Sequence, residues 1–199
     1  MMPESRLNEV TAESLRSGTY RLLARLLAAA PDAGLLERLR TLATATPSDE
    51  LGTAWTGLRQ VAESVQSDRL ALEFHEIFIG LGRGELVPYG SWYRSGFLMG
   101  KPLGELRREL AALGYVRGEE VREPEDHAAA LCEVMALLVL DEEIPFQAQQ
   151  RFFDTHVGSW LDAFFKDLEM AKSARFYRAV GRLGSAFITL ERRYLSRPA

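Results

Sequence analysis

Apolar residues recur at helical spacing along most of the chain. Between residues 15 and 30, Leu15, Tyr20, Leu22, Leu23, Leu26 and Leu27 form one apolar stripe, and arginines occupy the other side. Similar periods predict helices over residues 35–46, 48–65, 67–80, 101–114, 148–171 and 173–195. No pair of alternating segments indicates strands. The pattern predicts an all-α, single-domain helical bundle of about nine or ten helices over residues 1–199.

Capping residues and breaks divide this pattern. Ser48 and Ser67 are predicted N-caps, and Gly114 is a predicted C-cap. Residues 80–91, GLGRGELVPYGS, hold four glycines and one proline, which predicts a long loop. A short helix is expected after it over residues 91–100. A long apolar helix is expected from Pro124 to about Asp141.

The start of that apolar helix, EPEDH at residues 123–127, has two interpretations. Pro124 suits the first helical position, and Asp126 would then reach back to the Glu123 N–H as in a capping box. Capping does not account for His127, because the helix dipole disfavours a charged histidine in the first turn. A neutral imidazole both donates and accepts hydrogen bonds, which suits binding of a peptide backbone. A half-exposed histidine without a role is the alternative.

Composition limits the classes of partner. The chain of 199 residues has a formal net charge of -4, which argues against nucleic acid as the main ligand. Its one cysteine, Cys132, cannot form an intrachain disulfide, as expected in a reducing compartment. The longest uncharged apolar run, residues 134–140, is far shorter than the roughly 20 residues that cross a bilayer. The start of the chain lacks the apolar core of a secretory signal. A cytoplasmic protein without membrane insertion is predicted.

Catalytic and metal-binding motifs are missing from the sequence. The three histidines, His75, His127 and His156, do not form a zinc motif with Cys132. GLGRG follows a helix, and no Gly-Lys-Ser/Thr succeeds it, so a connector is favoured over a phosphate-binding loop. The chain is therefore predicted not to be an enzyme and to have no metal site. An enzyme that uses Asp126 and His127 as acid and base is one alternative.

Aromatic residues are concentrated around the glycine loop, and carboxylates follow it. Such an arrangement predicts an exposed apolar patch, rimmed by acidic residues, that suits a partner segment both hydrophobic and basic. The rings are Phe74, Phe78, Tyr89, Trp92, Tyr93 and Phe97, and the carboxylates nearest the apolar helix are Glu119, Glu120, Glu123, Glu125 and Asp126.

Three segments in this order resemble the TorD/DmsD/NarJ family of redox-enzyme maturation chaperones, most closely its TorD/DmsD branch. They are EFHEIFIGLGRGELVPYGSWY, EPEDHAAALCEVMALLV and FFDTHVGSWLDAFFKDL. The family pattern has Gly-Pro where this chain has Gly80-Leu81, two prolines where it has Val87-Pro88, and glutamate where it has Gly90.

The resemblance implies a cytoplasmic, cofactor-free chaperone in molybdoenzyme maturation and export proofreading. Its partners would be the twin-arginine signal peptide of a molybdenum-containing oxidoreductase and the apo-enzyme body, whose export it delays until cofactor insertion. By position, the implied peptide-binding residues are Phe74, Ile77, Phe78, Pro88, Tyr89, Asp126 and His127.

A third class remains open beside the chaperone and the acid–base enzyme. The chain would then be a helical scaffold without a peptide site that dimerises through its aromatic patch. A homodimer formed by helix exchange around the glycine loop or residues 141–147 is also compatible with the sequence. The sequence does not define which molybdoenzyme would be the cargo.

Overall fold

The computed structural model describes residues 4–42, 49–118 and 120–197. The predicted cap Ser48 and the acidic Glu119 lie outside these ranges. Over the described residues the chain forms ten α-helices and no sheet, which confirms the predicted all-α bundle. The helices are α1 Glu4–Ala28, α2 Ala33–Arg40, α3 Glu50–Ser64, α4 Ser67–Phe74, α5 Gly90–Ser95, α6 Lys101–Ala112, α7 Ala128–Leu140, α8 Phe146–Phe152, α9 Leu161–Met170 and α10 Phe176–Leu195. Two π-helical segments, His75–Ile79 and Phe153–Val157, continue α4 and α8.

Helices α1, α7, α9 and α10 build the core. Helix α1 lies along α7, and α10 packs against both α9 and α3. Helix α7 is almost wholly apolar, so it is buried on most sides rather than on one stripe. The ring of Tyr20 on α1 meets Phe187 on α10 edge to face at 4.7 Å. Gly184 allows α10 to approach α9, because an added Cβ would lie 2.2 Å from Phe165 Cδ1.

A buried ion pair joins α1 to α10 inside this core. Arg16 donates from Nε to Glu191 Oε1 at 2.7 Å and from Nη2 to Oε2 at 2.9 Å. Glu191 is 0% exposed and Arg16 is 6% exposed. The Tyr20 hydroxyl donates to the same carboxylate at 3.1 Å, and the Arg16 guanidinium lies 4.2 Å from the centre of the Tyr194 ring. These contacts satisfy both charges at a site from which water is excluded.

Several predicted boundaries are wrong. Gln66, not Ser67, is the N-cap of α4, and the helix predicted over residues 35–46 ends at Arg40. Helix α7 begins at Ala128 rather than Pro124, because residues 124–127 form a turn closed by a hydrogen bond from His127 N to Pro124 O at 3.1 Å. Helix α5 ends at Ser95, and Gly96 follows with a φ of 77°. The helix predicted over residues 148–171 is divided into α8, a π-helical segment and α9. The C-cap of α6 is Leu113 rather than the predicted Gly114, which follows it with a φ of 80°, the left-handed conformation typical of the residue after a C-cap.

Crossing a bilayer requires a helix of roughly 20 predominantly apolar residues, and this requirement applies to each described helix. None is both long enough and apolar enough to do so.

Candidate functional site

The turn before α7 and the residues before α5 are joined through their backbones. Tyr89 and His127 form an isolated antiparallel β-bridge. Gly90 N donates to Asp126 O, and Ala128 N donates to Pro88 O, both at 2.8 Å. Four of the seven predicted site residues, Pro88, Tyr89, Asp126 and His127, therefore lie side by side although they come from two distant segments.

The buried side chain of Asp126 stabilises this junction. Its side chain is only 3% exposed, and Oδ2 accepts a hydrogen bond from Ser91 N at 2.7 Å. It thus binds an amide in the first turn of α5 and not the Glu123 N–H, so the predicted capping box is wrong. Among the described residues, Oδ1 has no hydrogen-bond partner. Asp126 therefore stabilises the start of α5, and a different residue caps α7.

That residue is His127, the N-cap of α7. Its Nδ1 accepts a hydrogen bond from Ala129 N at 3.1 Å. An accepting Nδ1 carries no proton, so the neutral ring is protonated at Nε2 and presents one N–H donor. Burial lowers the pKa of His127, and the charges of Glu123 and Asp126 only partly oppose this effect. The imidazole is therefore neutral at pH 7.

Tyr89 completes the polar face of the junction. Its hydroxyl donates to Glu123 Oε2 at 2.5 Å, and its ring meets the His127 ring edge to face, with centroids 5.1 Å apart. Burial raises the pKa of Tyr89, and the hydrogen bond to Glu123 raises it further. The phenol is half-buried, and Glu123 is exposed beside it. An aromatic ring, an imidazole N–H and a carboxylate thus adjoin one another.

The acidic rim is smaller than the sequence suggests. Glu125 lies 2.9 Å from Arg107 Nη2 and 3.8 Å from Arg117 Nε. Burial favours the neutral form of Glu125, but these arginines outweigh it and lower its pKa. Its charge is therefore already compensated within the chain. Glu120 and Glu123 remain as exposed carboxylates.

The other three predicted residues form a separate aromatic layer against α10. The Phe74 and Phe78 rings lie 4.9 Å apart, and each contacts Tyr177, at 5.9 Å and 5.4 Å respectively. Both phenylalanines are half-buried. Ile77 is 0% exposed, so it supports the layer from inside and presents no surface to a ligand.

The glycine loop links this layer to the Tyr89–His127 junction. Leu86 N donates to Ile77 O at 2.8 Å, which returns the loop to the π-helical segment. A Cβ on Gly84 would lie 2.4 Å from the carbonyl carbon of Phe78, so this close return requires glycine. Glu85 accepts hydrogen bonds from Lys172 N at 2.5 Å and Ser173 N at 3.1 Å. The loop is thus a tethered connector, and it carries Pro88 and Tyr89 to the junction.

Acid–base catalysis fits this geometry poorly. The cavity that Asp126 lines has a volume of about 10 Å³, room for no more than one water molecule, and His127 does not line it. Nδ1 of His127 and Oδ2 of Asp126 are both engaged by backbone amides. No cluster of metal-binding side chains occurs among the described residues. The site is suited to binding a chain segment and not to turning over a small substrate.

Acidic pH is expected to destabilise the fold. Burial lowers the pKa of both His127 and His156 below the ordinary value of 6.5, although Glu109 partly opposes this at His156. The unfolded chain therefore binds more protons as the pH falls through 6.5, and stability declines until the folded-state pKa values are passed. The unfolding temperature should be lower at pH 5.5 than at pH 7.5. In His127→Asn the difference should shrink, and an unchanged difference would contradict a half-buried, neutral His127.

Some residues of the site were not predicted. The Ser91 amide, Glu123 as a partner of the Tyr89 hydroxyl, and Arg107 as a partner of Glu125 all depend on contacts between segments far apart in sequence. Gly90 was noticeable in the sequence, because the family pattern has glutamate at this position. Its Cβ would lie 3.0 Å from Trp160 Nε1, so close packing against α9's start explains the glycine.

Comparisons with known proteins give a consistent result. The family model described as "Nitrate reductase delta subunit" matches residues 44–166, more than half of the chain. The protein named "Chaperone protein TorD" from Vibrio cholerae (strain O395) is 32% identical over 136 residues, a match covering 63% of this chain and 62% of that relative. The protein of the same name from Aliivibrio fischeri is 28% identical over 213 residues, covering 96% of this chain and 99% of the relative.

A solved structure has the same fold. It is titled a putative redox enzyme maturation protein from Archaeoglobus fulgidus, and it matches with a TM-score of 0.52 over 92% of this chain and 94% of its own. Its sequence is 18% identical, so the likeness concerns the fold alone. The family match, together with the three motifs in order, identifies the chain as a member of the nitrate reductase delta subunit family, the TorD/NarJ group.

Proposed function

We propose that this protein is a cytoplasmic chaperone that binds the twin-arginine signal peptide of a molybdenum-containing oxidoreductase and delays its export until the cofactor is inserted. The relatives are named as chaperones and not as enzymes, which supports a role in maturation. The observation that carries the proposal is the junction of Tyr89 and His127. It places a ring, an N–H donor and an exposed carboxylate together.

Each component suits one feature of such a peptide. The Nε2–H of His127 can donate to a peptide carbonyl, because Nδ1 is already occupied by the helix cap. The half-buried Tyr89 ring offers apolar area, and Glu123 offers a partner for the arginines. Phe74 and Phe78 would contribute only if the peptide extends along the glycine loop to the second aromatic layer.

The energetics suit reversible binding. Burying four or five apolar side chains yields roughly 6–15 kcal/mol. Association and ordering cost about 4–15 kcal/mol, which removes much of that gain. Exposed arginine–carboxylate pairs add only about 0–1 kcal/mol each, so they set register more than strength. Affinity near the micromolar range allows the cargo to leave.

Tyr89→Ala is expected to weaken binding of twin-arginine signal peptides about tenfold or more, because it removes the ring that faces the peptide. Isothermal titration calorimetry with a panel of synthetic signal peptides measures this. Tyr115→Ala is the matched control, since Tyr115 is also half-buried and donates to a carboxylate, Asp141, at 3.1 Å. Asp141 lies at the opposite end of α7.

Equal affinity of the wild type and Tyr89→Ala would exclude the junction as the peptide site. Light scattering over a dilution series, with and without peptide, separates the chaperone from a dimerising scaffold. A scaffold would show a concentration-dependent mass that the peptide does not alter, and no heat of peptide binding.

A further inference from the structure

A second groove lies away from the Tyr89–His127 junction. It runs between α3 and α10 beside the end of α9, and its volume is about 900 Å³. None of the seven predicted site residues lines it. We propose that this groove is an interaction surface for an acidic helical segment of a partner protein.

The first argument is charge. Arg175, Arg178 and Arg182 line the groove at spacings of three and four residues, so they share one face at the start of α10. Of these three arginines, only Arg182 forms an ion pair with another described residue, Glu169, at 2.8 Å. Arg178 donates instead to the Glu169 carbonyl at 3.2 Å. With Glu50 as the other acidic lining residue, the groove has three positive charges against two negative ones in a chain whose net charge is -4.

The second argument is the shape and polarity of the floor. Ala54, Gly57 and Val61 from α3 and Ala179 from α10 line the groove between the charged side chains. Ala54 and Ala179 are each about 8% exposed or less, so the floor is apolar and closely packed. Side chains this small leave room for the backbone of another helix. A Cβ added at Gly57 would meet no other atom within 4 Å, so this glycine faces open space.

The third argument is length. Arg175 and Arg182 are separated by two turns of helix, about 10 Å. Carboxylates seven residues apart on a partner helix have the same separation, and the residues between them would present small apolar side chains to the floor. A small anion would engage one or two arginines but would leave the apolar floor exposed. An acidic amphipathic helix therefore complements both parts of the groove.

A synthetic probe tests the proposal without knowledge of the natural partner. It is a fluorescein-labelled amphipathic peptide of about 18 residues, with glutamates seven residues apart and alanine and leucine on the same face. A scrambled peptide of equal composition reports non-specific attraction. Fluorescence anisotropy should show saturable binding of the patterned peptide that weakens as salt is raised, because the arginines are exposed.

Two variants act on different properties of the groove. Arg175→Glu/Arg178→Glu should weaken binding about tenfold or more, since it reverses the charge of the rim. Gly57→Phe should weaken binding similarly without any change in charge, because the new ring fills the groove. The variant should keep its fold, since phenylalanine has a higher helix propensity than glycine in α3. Gly104→Phe on α6 is the matched control, since Gly104 is also a helical glycine with no atom within 4 Å of an added Cβ.

The results separate this groove from the signal-peptide site. Retained binding of a signal peptide in Gly57→Phe, together with lost binding of the acidic probe, would support two independent surfaces. Binding of the probe that is unaffected by both variants, or equal binding of the scrambled peptide, would overturn the proposal. So would the absence of saturable probe binding to the wild-type chain at low salt.

Discussion

Replacement of Glu191 by alanine is expected to lower the free energy of unfolding by about 3–5 kcal/mol. The carboxylate is fully buried and accepts three hydrogen bonds, two from Arg16 and one from Tyr20. Removing it leaves the Arg16 guanidinium, itself 6% exposed, without its counter-charge inside the bundle. Urea unfolding followed by circular dichroism should show a lower midpoint of unfolding.

Two controls identify the cause of that loss. Lys166→Ala removes the exposed Lys166–Asp162 pair, whose length of 2.9 Å is close to that of the buried pair, and it should cost at most about 0.5 kcal/mol. The double variant Arg16→Met/Glu191→Leu should recover most of the stability lost in Glu191→Ala, because no unpaired charge stays buried. A double variant as unstable as Glu191→Ala would show that packing, and not charge, causes the loss.

This pair also illustrates what the sequence could not predict. The apolar stripes of α1 and α10 can be recognised in the sequence by their helical period, and these periods predict the all-α fold. The same stripes do not reveal that Arg16 and Glu191, separated by 175 positions, turn inward to meet each other. Arg16 lies four residues before Tyr20 and Glu191 four residues after Phe187, so each charge falls on an apolar face, but a helical wheel does not show the partner from another segment that allows its burial.

The candidate site was predictable to a similar extent. Tyr89, Asp126 and His127, which the loop and EPEDH motifs single out, do meet, while their role in peptide binding stays a prediction. The capping-box role predicted for Asp126 is wrong, because a capping pattern is local whereas Asp126 accepts a hydrogen bond from Ser91, 35 positions away. Glu125 was misjudged for the same reason. It looks like a free carboxylate in the sequence, but it accepts a hydrogen bond from Arg107, 18 positions away. The two π-helical segments had no recognised signal in the residue pattern.

Replacement of His127 is expected to separate stability from peptide binding, with the largest effect on the proposed function. Asparagine is among the best N-cap residues, so His127→Asn keeps an acceptor for Ala129 N. Its free energy of unfolding should therefore lie within a few tenths of a kcal/mol of the wild-type value. It lacks both the ring that meets Tyr89 and the Nε2–H donor. Signal-peptide binding, measured by calorimetry at pH 7.5, should therefore weaken about tenfold or more.

His127→Ala completes the comparison. It should lose the peptide to the same degree as His127→Asn and also about 0.5–2 kcal/mol of stability, because the first turn of α7 loses its cap. If both variants are destabilised but bind peptide like the wild type, His127 is only a cap and the peptide site lies elsewhere. If His127→Asn is stable and fails to bind, the imidazole contributes directly to recognition, since the helix beneath it is unchanged.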